Sequence, residues 1–115
     1  MMVTTQAQIN LEQALDREMN EAKIYLQRGL VQMALGRYDG ATEDFDRAID
    51  LDPTSADAYF SRGTVRFRLD DQQGATEDLH QAADLYIDQG KPEAANQALQ
   101  VLGEETDDAW TDFEN

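Results

Sequence analysis

Apolar side chains near the start of the chain follow a helical spacing. Leu11, Leu15 and Met19 recur every four residues, so they share one face of a helix predicted over residues 6–21. Ala22 continues the same face, so this helix is expected to lead directly into the segment that follows.

A second helical pattern lies nearer the other end. Pro92 suits the first turn of a helix, an Ala- and Leu-rich run follows it, and Gly103 closes the run. The pattern predicts a helix over residues 92–102. After it, residues 104–115 contain six acidic residues and no basic one, a composition that predicts a disordered tail.

Between these helices the chain repeats itself. Residues 22–55 and 56–89 align without a gap at a shift of 34 residues, and 14 of the 34 positions are identical. A repeat of this length is typical of a solenoid, in which each unit buries its apolar face against its neighbours. The identical positions in the first copy are Ala22, Tyr25, Arg28, Gly29, Val31, Leu35, Gly40, Ala41, Thr42, Glu43, Asp44, Ala48, Asp50 and Leu51.

The repeat resembles the tetratricopeptide repeat (TPR), in which each unit is a pair of antiparallel helices. The first copy reads Tyr25-x-x-Arg28-Gly29, Ala41-x-x-x-Phe45-x-x-Ala48 and Pro53, and the second reads Tyr59-x-x-Arg62-Gly63 and Ala75-x-x-x-Leu79-x-x-Ala82. The resemblance implies an all-α solenoid of two TPR helix pairs with flanking N-terminal and C-terminal capping helices. The predicted boundaries are 1–21 for the N-terminal segment and helix, 22–55 and 56–89 for the repeats, 90–103 for the capping helix and 104–115 for the tail.

Some positions of the motif have an evident physical role. Gly29 and Ala41 are small where two helices must approach to about 8–10 Å. Pro53 ends the second helix because it lacks an N–H group, and Thr54 with Asp57 is expected to cap the next one.

Composition narrows the classes of function. Nine Lys and Arg against 24 Asp and Glu give a net charge of −15, which repels phosphate backbones and anionic lipid surfaces. The chain contains no Cys, so disulfides and thiolate chemistry are excluded. It shows no signal-peptide pattern and no apolar run long enough for a membrane span. These features predict a cytoplasmic protein that binds no nucleic acid and inserts into no membrane.

Catalysis finds no support in the sequence. His80 is the single His, and there is no Gly-rich phosphate loop and no calcium-binding loop. We therefore expect no enzymatic activity, no cofactor and no metal.

The resemblance places the first helix of each pair on the concave side of the solenoid. One stripe on this side is expected to form a partner-binding groove for an apolar or amphipathic segment. Its occupant could be the protein's own N-terminal helix or 92–102 helix, a partner's segment, or a second copy. The groove residues are Lys23, Leu26, Leu30 and Met33, with Phe60, Thr64, Phe67 and Arg68 in the second repeat.

The arginines and the carboxylates of the second helices allow two interpretations. Arg28 and Arg62 could pair with the acidic clusters of the second helices, and Arg66 with Arg68 could anchor an acidic group of a ligand. The second-helix carboxylates are most simply a solvated convex face. They are Glu43, Asp44, Asp46, Asp50, Glu77, Asp78, Asp84 and Asp88.

Trp110 and Phe113 are two large aromatic residues in the acidic tail, where they resemble a short docking motif. They could equally fold back onto the domain or enter the groove of the same or a neighbouring molecule.

The function that these features favour is that of a non-catalytic scaffold or adaptor. It would hold a segment of another protein in the concave groove, and assembly of a larger complex is one role open to it. One alternative is a polyanion mimic that occupies the basic site of a nucleic-acid-binding protein. Another is a homo-oligomeric structural module.

Overall fold

The computed structural model describes residues 5–103, which form five α-helices and no strand. The expected all-α architecture is confirmed. The tail with Trp110 and Phe113 lies outside the described residues. The helices are α1 Gln6–Ala34, α2 Tyr38–Leu51, α3 Ala56–Arg68, α4 Gln72–Asp88 and α5 Pro92–Val101.

The helices pack in the order of the sequence. α1 packs against α2, α3 against α4, and α5 against α4, while contacts between α2 and α3 join the two helix pairs. Most of these helices end at a residue with positive φ, namely Gly36 at 75°, Asp70 at 65° and Gly90 at 75°. This conformation lets the next N–H group bond back to the helix, as the N–H of Arg37 does to the carbonyl of Gln32 at 2.8 Å.

The N-terminal helix and the first helix of the first repeat are one continuous helix of 29 residues, α1. Thr5 caps it, with its hydroxyl accepting from the N–H of Gln8 at 3.1 Å and its own N–H donating to the Gln8 side chain at 2.9 Å. All residues from 6 to 21 are exposed except Ile9, which is half-buried. The leading half of α1 therefore projects beyond the helix pairs.

The start of α3 differs from the prediction. Ser55, not Thr54 with Asp57, caps this helix, and its hydroxyl accepts from the N–H of Ala58 at 3.3 Å. Thr54 instead donates its hydroxyl to Asp52 at 2.6 Å, within the turn that leads to the helix. The sequence offered Thr54 and Ser55 side by side, and the turn after Pro53 decides between them.

Two clusters of buried side chains form the core. One joins α1, α2 and α3 around Phe45 and Val65, and the other joins α3, α4 and α5 around Leu79. The small residues of the motif allow these contacts. A Cβ added at Gly29 would lie 2.6 Å from the ring of Phe45, and one added at Gly63 would lie 2.8 Å from Leu79 Cγ.

This close approach predicts the sign of two substitutions. Helix propensity alone favours Ala over Gly by about 1 kcal/mol. Because the new methyl groups would overlap Phe45 and Leu79, we expect Gly29→Ala and Gly63→Ala each to lower the free energy of unfolding by about 1–3 kcal/mol. Urea titration followed by circular dichroism measures the change. The exposed Gln13→Ala on α1 serves as the control, and stabilisation by either glycine substitution would contradict this packing.

Candidate functional site

A cleft of about 330 Å³ lies between α1 and α3 on one side of the molecule. Side chains of α4 and α5 also border it. In the rest of the text, the cleft means this site. Its lining residues are Leu26, Gln27, Leu30, Met33, Asp57, Phe60, Ser61, Thr64, Tyr86 and Gln97.

The apolar wall of the cleft follows from helical spacing. On α1, Leu26, Leu30 and Met33 lie four and three residues apart, so they share one face of the helix. Leu26 is buried, while Leu30 and Met33 are half-buried and pack against the core around Phe45. The apolar wall is therefore the accessible edge of the first core cluster.

The opposite wall comes from α3. Phe60 is half-buried and meets the ring of Tyr86 edge-on, with ring centroids 6.4 Å apart and an interplanar angle of 67°. Thr64 donates its hydroxyl to the carbonyl of Phe60 at 2.8 Å, which turns its methyl group and not its hydroxyl into free contact surface. This wall is thus largely apolar as well.

One end of the cleft is polar and acidic. The hydroxyl of Tyr86 donates to the carboxylate of Asp57, and Tyr86 itself is buried. Burial, together with this carboxylate, raises the pKa of the Tyr86 phenol above its ordinary value. None of the lining residues is basic.

Five of the residues predicted for the groove meet in the cleft: Leu26, Leu30, Met33, Phe60 and Thr64. The other three do not line it. Lys23 is exposed on α1, Phe67 is 45% exposed near the end of α3, and Arg68 donates to the Tyr38 hydroxyl at 3.3 Å. Because that contact is with α2, Arg68 points away from the cleft.

Tyr86 and Gln97 were missed by sequence reasoning. They belong to α4 and α5, whereas the predicted stripe was drawn only on the first helix of each repeat. The side chain of Asp57 was in register with that stripe, as the counterpart of Lys23, but its bond to Tyr86 depends on the packing of α4 against α3.

The protein's own N-terminal helix does not fill the cleft. Residues 6–21 continue the axis of α1, whose later residues form the apolar wall, so they cannot turn back onto it. α5 contributes Gln97 to the border and leaves the apolar wall accessible.

Arginines of the first helices bind aspartates of the second helices. Arg28 grips Asp44 with two nitrogens, Nη2 at 2.6 Å and Nε at 2.9 Å, and Gln32 donates to the same carboxylate. The hydrogen bond from Arg28 lowers the pKa of Asp44 against the opposing effect of burial. Asp44 is only 3% exposed, so this contact lies between the helices and not on the surface.

The second repeat repeats the arrangement with more charge. Arg62 binds Asp78 through Nε and Nη2, both at 2.8 Å, and it also reaches Asp46 of the preceding pair at 2.8 Å. Arg66 binds Asp78 at 2.8 Å in the place that Gln32 has in the first repeat. Hydrogen bonding to Asp78 raises the pKa of Arg62, so its positive charge is fixed at every working pH.

These contacts correct the prediction of a uniformly solvated acidic face. Asp44 and Asp78 are each 3% exposed and belong to the interior of their helix pairs. Among the described residues, the ion pairs of the arginines involve aspartates and neither Glu43 nor Glu77. Arg66 is engaged within the chain, which leaves it unsuited to anchor a ligand.

The same contacts explain two glycines at the start of the second helices. A Cβ at Gly40 would collide with the side chain of Gln32, which donates to Asp44. A Cβ at Gly74 would collide with Asp71 and lie 3.0 Å from Arg66 Cδ. Both glycines therefore make room for the side chains that reach the buried aspartates.

Comparison with known families identifies one match. A family model described as TPR repeat matches residues 33–70, from the end of α1 through α3. No curated protein and no solved structure matches the chain. Of the five helices, none is long and apolar enough to cross a membrane. Residues 5–103 contain no group of three or more His, Cys, Asp or Glu side chains placed to hold a metal ion.

The lowered pKa of Asp44 predicts how the stability depends on pH. A carboxylate with a lowered folded-state pKa stabilises the fold above its ordinary pKa, near 3.9, and this contribution is lost as the pH falls through the folded-state value. We expect Asp44→Asn to melt at a lower temperature than wild type at pH 7. The gap should persist to about pH 4 and close toward about pH 2.

Thermal melts of both proteins across this pH range measure the gap. Asp50→Asn is the matched control, since Asp50 is an exposed aspartate of the same helix, and it should show no such gap. A gap for Asp44→Asn that is equally large at both ends of the range would show that the carboxylate is not held by Arg28.

Proposed function

Because the chain is a TPR-type helical-repeat protein, we propose that it is a non-catalytic interaction module that binds a segment of another protein in the cleft. The observation that carries this proposal is the accessible apolar wall formed by Leu26, Leu30 and Met33 opposite Phe60. TPR repeats generally mediate protein–protein interactions and are generally non-catalytic.

The chemistry of the cleft specifies the kind of segment. Its volume is at the lower end of the about 300–1,000 Å³ of ligand sites, which suits a few apolar side chains of a docked helix or extended strand. At the polar end, Asp57 offers carboxylate oxygen atoms, and no lining residue is basic. We infer an amphipathic segment that places apolar side chains between α1 and α3 and a basic or neutral donor at Asp57.

The charge of the whole molecule supports the same partner. With a net charge of −15, the protein attracts a basic segment over several ångströms and repels an acidic one. An adaptor of this kind would serve in the cytoplasm, for example during assembly of a larger complex.

A second candidate rests on the exposed carboxylates of the second helices. Glu43 and Asp50 on α2, and Glu77, Asp84 and Asp88 on α4, all remain exposed. They could occupy a basic site on a nucleic-acid-binding protein. Salt distinguishes the two candidates, since binding in the apolar cleft should survive about 0.5 M salt and polyanion mimicry should not.

The proposal is tested by filling the cleft. Thr64 lines it, is half-buried and stands outside both core clusters, so Thr64→Arg should block the cleft and leave the helices intact. Thr76→Arg is the matched control, because Thr76 is also half-buried and also donates to the carbonyl four residues before it, but it lies on α4 away from the cleft.

A displayed library of random peptides selected on the wild-type protein supplies the probes. Peptides that bind are then titrated against each variant by fluorescence anisotropy. We expect Thr64→Arg to weaken binding at least about tenfold, equivalent to about 1.4 kcal/mol, and Thr76→Arg to leave it unchanged. Equal binding by wild type and Thr64→Arg would move the binding site away from the cleft.

A further inference from the structure

The outward face of α1 lacks the packing that the same face of α3 has. On α3, Ala58 and Val65 are fully buried, in the cluster that contains Phe45 of α2. The residues 34 positions earlier on α1 are Ile24 and Val31, and they are 66% and 59% exposed. α1 thus presents a receiving surface for a helix, and no helix between residues 5 and 103 covers it.

The arginine between these positions shows the same difference. Arg62 bridges its own pair and the preceding one, bound to Asp78 and to Asp46, and its side chain is 16% exposed. Arg28 binds Asp44 of its own pair, and its side chain is 64% exposed. The surface made by Ile24, Arg28 and Val31, here called the α1 outer face, therefore repeats the surface with which α3 holds α2.

The opposite end of the solenoid is built differently. On α5, the positions that would face a following helix are Glu93, Gln97 and Gln100, which stand 34 residues after Tyr59, Gly63 and Arg66. All three are exposed and polar, as is usual for the terminal helix of a solenoid. Gln97 also replaces the glycine that lets two helices approach. The α1 outer face has apolar residues instead and is not a cap of this kind.

The sequence after α5 continues the period of the repeats. Residues 106–115 stand in register with α2 and α4, at shifts of 68 and 34 residues. The matching positions are Ala109 with Ala41 and Ala75, Asp112 with Asp44 and Asp78, Phe113 with Phe45 and Leu79, and Glu114 with Asp46 and His80. This segment has the sequence of a second helix, while α5 offers it only a polar face.

We propose that residues 106–115 of one copy dock as a helix on the α1 outer face of a second copy. Trp110 and Phe113 are three residues apart, so one face of such a helix carries both against Ile24 and Val31. Glu114 stands where Asp46 does and meets Arg28 as Asp46 meets Arg62.

Charge favours this occupant. The tail, residues 104–115, has six acidic residues and no basic one, whereas residues 22–37 have three basic residues and no acidic one in a chain of net charge −15. Most other contacts between two copies would bring acidic surfaces together. The contact joins two different surfaces, so it is heterologous, and copies add head to tail.

Sedimentation velocity on the full chain, over a range of concentrations, tests the proposal. We expect species heavier than the 12.9 kDa monomer that increase with concentration. Ile24→Glu on the outer face and the double variant Trp110→Glu with Phe113→Glu in the tail should each sediment as monomers. The matched control is Leu15→Glu, an exposed apolar residue on the opposite side of α1, which should associate as wild type does.

Mixing the two monomeric variants gives the decisive result. Ile24→Glu retains its tail and the tail variant retains its outer face, so together they should form a one-to-one complex that grows no further. Thr64→Arg should leave association intact, which separates this contact from binding in the cleft. Wild type that is monomeric at every concentration, or a mixture that does not associate, would overturn the proposal.

Discussion

Each helix pair of this protein depends on a buried aspartate of the second helix that is held by an arginine of the first. Asp44 and Asp78 lie between helices, where an unpaired carboxylate would be costly, and Arg28 and Arg62 meet them with two nitrogens each. A two-pronged contact fixes the rotation of one helix against the other as well as their distance. The glycines of the motif act with it, since they let the helices come close enough for the short aspartate side chain to be reached.

The cleft and the α1 outer face both follow from this rotation. When Arg28 and Arg62 point toward the second helices, the apolar residues one step around α1 and α3 are left on the other side, where they form the two walls of the cleft. Arg62 also reaches back to Asp46, which ties the second pair to the first. At α1 the same connection has no helix on which to act within residues 5–103, and the α1 outer face is the result.

The repeat period was sufficient to predict the fold, because a solenoid places equivalent residues in equivalent contacts. It also predicted five of the cleft residues from spacing on the first helices. It could not reveal Tyr86 or Gln97, whose places depend on how α4 and α5 pack against α3. Nor could charge alone separate the buried Asp44 from the exposed Glu43 beside it, since that depends on which of two neighbouring positions faces the first helix.

A double-mutant cycle on Arg62 and Asp78 tests the central claim most directly. The free energy of unfolding is measured by urea titration for wild type, Arg62→Gln, Asp78→Asn and the double variant. If the pair holds the helices together, the loss in the double variant is smaller than the sum of the single losses, with a coupling energy of about 1–3 kcal/mol. Additive losses would show that the two side chains act independently, and that the helix pair is held by apolar packing alone.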